Sequence, residues 1–224
     1  MTKATEPLAI DVVSDAVCPW CFVGKRRLEA ALETLPDLPV NVRWRPFQLD
    51  ATIPQGGIPR EQYLSRKFGP DRAKNMYERL NAVGDEAGIP FAFEKIARSP
   101  NTIDAHRVIR WAGAAGRQTQ AVEKLFNAYF IEGGDIGDHD LLARVAGECG
   151  LDAAEIRARL DTDVDVADVK AEIENAQRLG VTGVPFFILG GHYAVSGAQP
   201  AEQLAMAIAK AARAQAENAA IENA

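Results

Sequence analysis

Leu8-Ala9-Ile10-Asp11-Val12-Val13-Ser14-Asp15-Ala16-Val17-Cys18-Pro19-Trp20-Cys21 contains a strand, a short turn and the first turn of a helix, in that order. Leu8 to Val13 is apolar and β-branched, as expected of a strand covered on both faces. From Pro19 to Leu35, the residues Phe22, Leu28, Ala31, Leu32 and Leu35 form an apolar stripe at helical spacing, and Pro36 ends it. Val40, Val42 and Trp44 then alternate with Asn41, Arg43 and Arg45, the period of two of a strand. Strand, helix and strand make a βαβ opening and an α/β fold class.

Cys18 and Cys21 stand three apart, so at a helix start they share a face and can close a disulfide across one turn. Pro19 has φ preset for the first helical position, where its missing N–H costs little. Cys18 then takes the N-cap, before unpaired N–H groups and the positive end of the helix dipole, which favour the nucleophilic thiolate. Cys21, inside the helix, is the more shielded and suits a resolving thiol. Two other readings stand beside the redox one. A CxxC can be half of a zinc site, but no second CxxC or close His pair exists, and His106, His139, His192 and Cys149 are scattered, so no metal is expected. Two unrelated buried cysteines would leave Pro and Trp at a strand-to-helix turn unexplained.

From about Arg60 to Gly180 strand patterning disappears and helices follow one another. Thr119 to Phe130 carries Val122, Leu125, Phe126, Tyr129 and Phe130 on one face. Asp138 is an expected N-cap, Gly150 an expected C′ residue, and Asp152 with Glu155 resembles a capping box. Val166, Val169, Ile173 and Ala176 stripe a further helix. Strand character returns at Pro185 to Leu189, followed by Gly190-Gly191 as a two-residue turn and His192 to Val195 as its partner. A last helix runs through Leu204, Ala207 and Ile208, and residues 214–224 are expected to fray. The boundaries read as 8–58, an inserted helical domain at 59–178, and a second α/β part at 179–213.

Of 224 residues, 47% are hydrophobic and 25% charged, which marks a folded globular chain able to bury a core without staples. A net charge of -6 without a basic face argues against nucleic acid as partner. No stretch approaches the roughly 18 apolar residues of a membrane span, and Met1 to Pro7 lacks the apolar region of a secretory signal. Three cysteines, two of them in one motif, are no disulfide framework, and the expected compartment is the cytoplasm.

Val12 to Arg26, with Trp44-Arg45-Pro46-Phe47-Gln48-Leu49 and Gly180-Val181-Thr182-Gly183-Val184-Pro185-Phe186-Phe187, resembles the DsbA family of thiol-disulfide oxidoreductases. Asn101 to Arg107 and Tyr193 to Pro200 are similar to its cytosolic FrnE-like branch. The likeness runs from about Leu8 to Ile208. It implies a thioredoxin fold with an inserted all-helical domain, a cis Val184–Pro185 bond and contact of Val184 with bound substrate. On the residues alone base rates favour a trans proline that begins an edge strand. The resemblance also implies Cys18 as attacking thiol and Cys21 as resolving thiol, with no cofactor beyond their disulfide and glutathione as a candidate redox partner. The family's periplasmic oxidases usually carry Pro-His between the cysteines; here Pro-Trp stands there, which leaves the potential open.

Pro19, Trp20, Val184, Pro185 and His106 are the expected substrate-binding positions. Trp20 reads as exposed for contact or as core filling. His106 reads as a pocket residue able to move a proton or as a satisfied structural group. Asp15 is a candidate proton relay or simple turn chemistry. Arg45, Pro46 and Phe47 end a strand where ligand crevices form, although an Arg there is equally a surface charge. Cys149 lies on an apolar stripe and reads as core. The expected activity is thiol-disulfide exchange as oxidoreductase or isomerase on protein or small-thiol substrates, in an oligomeric state the sequence leaves open. Two alternatives are a glutathione-dependent isomerase or transferase related to 2-hydroxychromene-2-carboxylate isomerase, whose nucleophile is serine, and a redox-regulated client-binding, chaperone-like module.

Overall fold

A computed structural model describes residues 6–222. The chain begins with β1 (Leu8–Ser14), α1 (Pro19–Glu33) and β2 (Val40–Pro46), then β3 (Ile58–Pro59), α2 (Arg60–Lys67) and α3 (Pro70–Glu86). One 3₁₀ turn (Phe93–Lys95) leads to β4 (Arg98–Ser99). Five helices follow: α4 (Ile103–Ala114), α5 (Gln118–Phe130), α6 (His139–Glu148), α7 (Ala153–Leu160) and α8 (Val166–Arg178). β5 (Phe186–Leu189), β6 (Tyr193–Ser196) and α9 (Ala201–Glu222) complete it.

The four-stranded sheet has the order β2-β1-β5-β6. β1 runs parallel to β2 with Leu8 opposite Val40 and Val12 opposite Trp44, and antiparallel to β5 with Val12 opposite Phe187. A parallel neighbour reached through α1 and an antiparallel hairpin on the other side are the thioredoxin arrangement. Gly190 and Gly191 turn the β5–β6 hairpin at φ 58° and 75°, angles at which a side chain would strain the backbone. On the open edge of β2, the Trp44 N–H donates to Gln118 Oε1 (2.9 Å) and Gln118 Nε2 donates to the Trp44 carbonyl (3.1 Å).

One hydrophobic core runs through both parts of the chain. Ile10 and Val12 of β1, Phe22 and Leu28 of α1 and Leu204 of α9 belong to the same buried cluster as Leu125, Phe126 and Phe130 of α5. Beside it, Lys25, almost wholly buried, lies 2.5 Å from Glu29 and 2.7 Å from Glu123, and Arg26 forks onto the Glu123 carboxylate at 2.9 and 2.5 Å. Burial alone would raise the Glu123 carboxyl, but the hydrogen bonds from Arg26 and Lys25 outweigh it and hold it below the usual range. A depressed folded-state value means stability that is present above the unfolded value and lost as pH falls through the folded one. We therefore expect Glu123→Gln to cost about 2 kcal/mol near neutrality. Its difference from wild type in thermal unfolding should shrink as pH falls below the ordinary carboxylate range; a constant difference would refute the linkage.

Two sequence expectations need correction. The insertion is not all-helical: Ile58–Pro59 pairs antiparallel with Arg98–Ser99, anchored by the Arg60 N–H to the Ala97 carbonyl at 2.9 Å. The frayed segment is helical through Glu222, because its alanines have high helix propensity and Gln215 donates to the Glu6 carbonyl (3.0 Å). Other signals hold. Asp138 caps α6 by accepting from the Leu141 N–H, and Asp152 caps α7 by accepting from Ala154 and Glu155. At the start of α4, Thr102 is the N-cap and the Asn101 side chain accepts from the Ile103 N–H.

Candidate active site

β1 ends at Ser14, and the chain turns through Asp15-Ala16-Val17 with the Cys18 N–H on the Asp15 carbonyl at 3.0 Å. Cys18 is the N-cap of α1 in extended conformation (φ -93°, ψ 111°), with Pro19 in the first turn. Its side chain makes no cap bond; Sγ points across to the Val184 carbonyl at 3.6 Å. Val184–Pro185 is a cis bond. Cys18, Cys21 and Cys149 are all free thiols, and Cys18 and Cys21 are 3% and 0% exposed. Burial pushes the Cys21 thiol well up, and the neighbouring Cys18 adds to this, against smaller opposing bonds from Ser14 and the Asp15 backbone. Cys21 therefore stays protonated.

Gly24, one turn beyond Cys21, lets α1 meet the proline loop. A Cβ there would lie 2.8 Å from Pro185 Cγ, inside contact distance. The glycine stands in the quoted sequence, yet only the fold shows what it faces.

Asp15 is 1% exposed. Its Oδ2 accepts from the Leu49 N–H at 2.8 Å, while Oδ1 lacks a hydrogen bond among the described residues. His106 Nε2 stands 3.5 Å from Oδ1 but 2.8 Å from the Phe47 carbonyl, so its hydrogen goes to that carbonyl. Asp15 walls the cavity above Cys18; His106 does not, and lines a second cavity behind it. Trp20 is half-buried rather than exposed: it packs against the core with the Arg79 guanidinium 5.9 Å from its ring, and still borders the cavity. Arg45 pairs with Asp11 at 2.7 Å as a surface charge. Cys149 is buried with Ala112 and Ala121, and burial raises its thiol. Among the described residues no cluster of three His, Cys, Asp or Glu could hold a metal ion.

The cavity over Cys18 encloses about 270 Å³. Its floor is Cys18, Pro19, Trp20 and Val184, and its roof, from α2 and α3, includes Tyr63, Met76, Tyr77 and Leu80. Arg60, Lys67 and Asp50 bring charge to it. The sequence reading missed the roof and Arg60, because two helices separated from the cysteines by a βα crossover leave no local signal.

A DSBA-like thioredoxin domain model matches residues 9–209 of the chain. The protein belongs to the DSBA-like thioredoxin family. Within reach of that family, YwbO of Bacillus subtilis (strain 168) is 31% identical over 186 residues, covering 81% of this chain and 86% of YwbO. The crystal structure of the probable DsbA oxidoreductase SCO1869 from Streptomyces coelicolor superposes with a TM-score of 0.84 at 33% identity, over 91% of this chain and 89% of that one. The cytosolic disulfide reductase DsbM from Pseudomonas aeruginosa, solved with GSH, shares the fold at a TM-score of 0.63 and 19% identity, over 88% and 96% of the two chains. As a DSBA-like protein, the chain is an oxidoreductase of the thiol-disulfide class in general terms.

Proposed function

We propose that the protein exchanges thiols and disulfides through a mixed disulfide on Cys18 that Cys21 resolves. The observation that carries this is the pairing of Cys18 at the α1 N-cap, facing the Val184 carbonyl, with a fully buried Cys21 one turn below. In the reducing direction the Cys18 thiolate attacks one sulfur of a substrate disulfide. The S–S bond breaks, the first thiolate leaves with its electron pair, and Cys18 is joined to the second half. Cys21 then gives up its proton and attacks Cys18 Sγ, so the second thiol leaves and the enzyme holds a Cys18–Cys21 disulfide. Run backwards, the same steps oxidise a dithiol. Asp15, with one carboxylate oxygen unbonded at the cavity wall, is our candidate acceptor for the Cys21 proton.

Pro19, Trp20, Val184 and Pro185 are the proposed substrate contacts, while His106, bonded to the Phe47 carbonyl, stands outside the cavity over Cys18. The two sulfurs suffice for the chemistry. Glutathione is the proposed redox partner and the cytoplasm the proposed compartment, the latter supported by the unpaired, buried Cys149 thiol. Placement in the FrnE-like branch rests on the sequence stretches quoted above. A glutathione-dependent isomerase of this fold would have no use for a second thiol at Cys21.

The test is the redox state of the pair in a series of glutathione buffers, read by alkylation and mass. A reversible Cys18–Cys21 disulfide with a midpoint between about -120 and -270 mV is expected. In Cys21→Ala, one glutathione should persist on Cys18 as a stable adduct. Absence of any Cys18–Cys21 disulfide across the series, or full turnover by Cys21→Ala, would defeat the proposal.

A further inference from the structure

The roof over Cys18 restricts what can reach it. Cys18 is 3% exposed and borders a half-open cavity of about 270 Å³, at the small end of the roughly 300–1,000 Å³ of sites for drug-sized ligands. A disulfide within a folded protein holds its two Cα atoms about 4.4–6.8 Å apart, so two main chains would have to enter along with the sulfurs. A small-molecule disulfide brings only its own substituents.

The charge in the cavity is uneven. Lys67 Nζ donates to the Tyr63 hydroxyl (2.9 Å) and the Leu49 carbonyl (3.4 Å), and the Asp50 carboxyl is held low first by its Thr52 hydrogen bonds and then by the charges of Lys67 and Arg66. Arg60 has no carboxylate partner among the described residues. Its Nε and Nη2 donate to the Tyr77 hydroxyl (3.1 and 2.9 Å), and its Nη1 to Ser99 Oγ (3.2 Å) and the Tyr129 hydroxyl (3.4 Å). Tyr63 and Tyr77 lie within cation–π distance, at 5.5 and 5.9 Å. Burial pushes the Tyr129 phenol upward, so it stays a neutral acceptor. No carboxylate lies within ion-pair distance of Arg60 among the described residues; the other wall carboxylate, Asp15, accepts from the Leu49 N–H through Oδ2 and leaves Oδ1 unbonded. These bonds use four of the five guanidinium N–H groups, leaving one Nη2 hydrogen and the fixed positive charge to meet an anion.

We propose that this cavity selects small thiols and disulfides bearing a carboxylate, which Arg60 anchors while Cys18 attacks the sulfur. The proposal deepens the exchange mechanism above and rests on it. In one turnover the enzyme dithiol is oxidised by two electrons and the small disulfide leaves as two thiols, so no further reductant enters the step.

Three symmetric disulfides of similar size separate the possibilities in single-turnover reactions with the reduced full chain: 3,3′-dithiodipropionate (anionic), bis(2-hydroxyethyl) disulfide (neutral) and cystamine (cationic). Arg60→Met should slow dithiodipropionate about tenfold while leaving bis(2-hydroxyethyl) disulfide within about twofold. Arg60→Lys should fall between wild type and Arg60→Met with the anion. The neutral probe also reports whether the variant keeps its fold. If Arg60→Met slowed all three probes alike, or spared the anion, the anchoring role would be overturned. If insulin, a protein disulfide, reacted as fast as dithiodipropionate, the size selection would be overturned. If wild type reacted with none of them, the exchange mechanism itself would fall.

Discussion

Cys18→Ser is expected to lower disulfide exchange by on the order of a thousandfold or more while leaving the fold as stable as before, or more so. The two effects separate because the side chain does two jobs. As a nucleophile, sulfur attacks disulfides as a thiolate, a form that a serine hydroxyl does not supply in water. As an N-cap, cysteine is the poorer residue: its Sγ makes no bond to the first-turn N–H groups and turns to the Val184 carbonyl instead. Serine at the same backbone angles can accept from those N–H groups, a gain of about 0.5–1 kcal/mol. The check is initial-rate exchange with bis(2-hydroxyethyl) disulfide, alongside thermal unfolding of both forms. A variant that kept turnover would show that Cys18 is not the attacking group. A variant that lost both turnover and several degrees of stability would show that the thiol also holds the turn together.

Phe22→Ala is expected to have the largest effect on stability, about 3–5 kcal/mol, or roughly 10 °C in the unfolding midpoint of a chain this long. Phe22 follows Cys21 directly and is wholly buried. Its ring stacks on Phe126 at 5.0 Å, meets Phe91 edge-on at 6.1 Å, and carries the Arg26 guanidinium at 5.0 Å. Removing it opens a cavity where the active-site helix meets the insertion, ringed by stiff aromatic groups that cannot collapse inward. Circular dichroism melting curves decide it: a drop of under about 3 °C would mean that the neighbours do close in.

How much of this was legible in the sequence depended on the range of the interaction. β1, α1 and β2 followed from patterns within a dozen residues, and the caps at Asp138 and Asp152 from side chains acting on their own helix. Cys18 and Cys21 announced themselves because three residues of spacing already bring them to one helical turn. The β3–β4 pairing did not, since Ile58–Pro59 and Arg98–Ser99 are two-residue strands joined across 38 residues of helix and turn, and neither has a period to read. His106 was singled out, but its position behind Asp15 depends on how α4 crosses the end of β2. Arg60 resembled any charged residue at a helix start until Tyr77 and Tyr129 were seen around it. The tail has no apolar stripe to read, and its helix rests on the propensity of its alanines.

The Gln118 amide at the rim of β2 bears on how the molecule behaves among its own copies. An open edge strand invites a strand from another chain, the first step of sheet-to-sheet aggregation. A carboxamide carries a donor and an acceptor spaced like those of a peptide group, so by bonding both sides of Trp44 it fills one rung that an incoming strand would need. Arg43 and Arg45 flank that rung with charge. One side chain from the neighbouring helix thus guards the sheet, at the far side of the sheet from the hairpin.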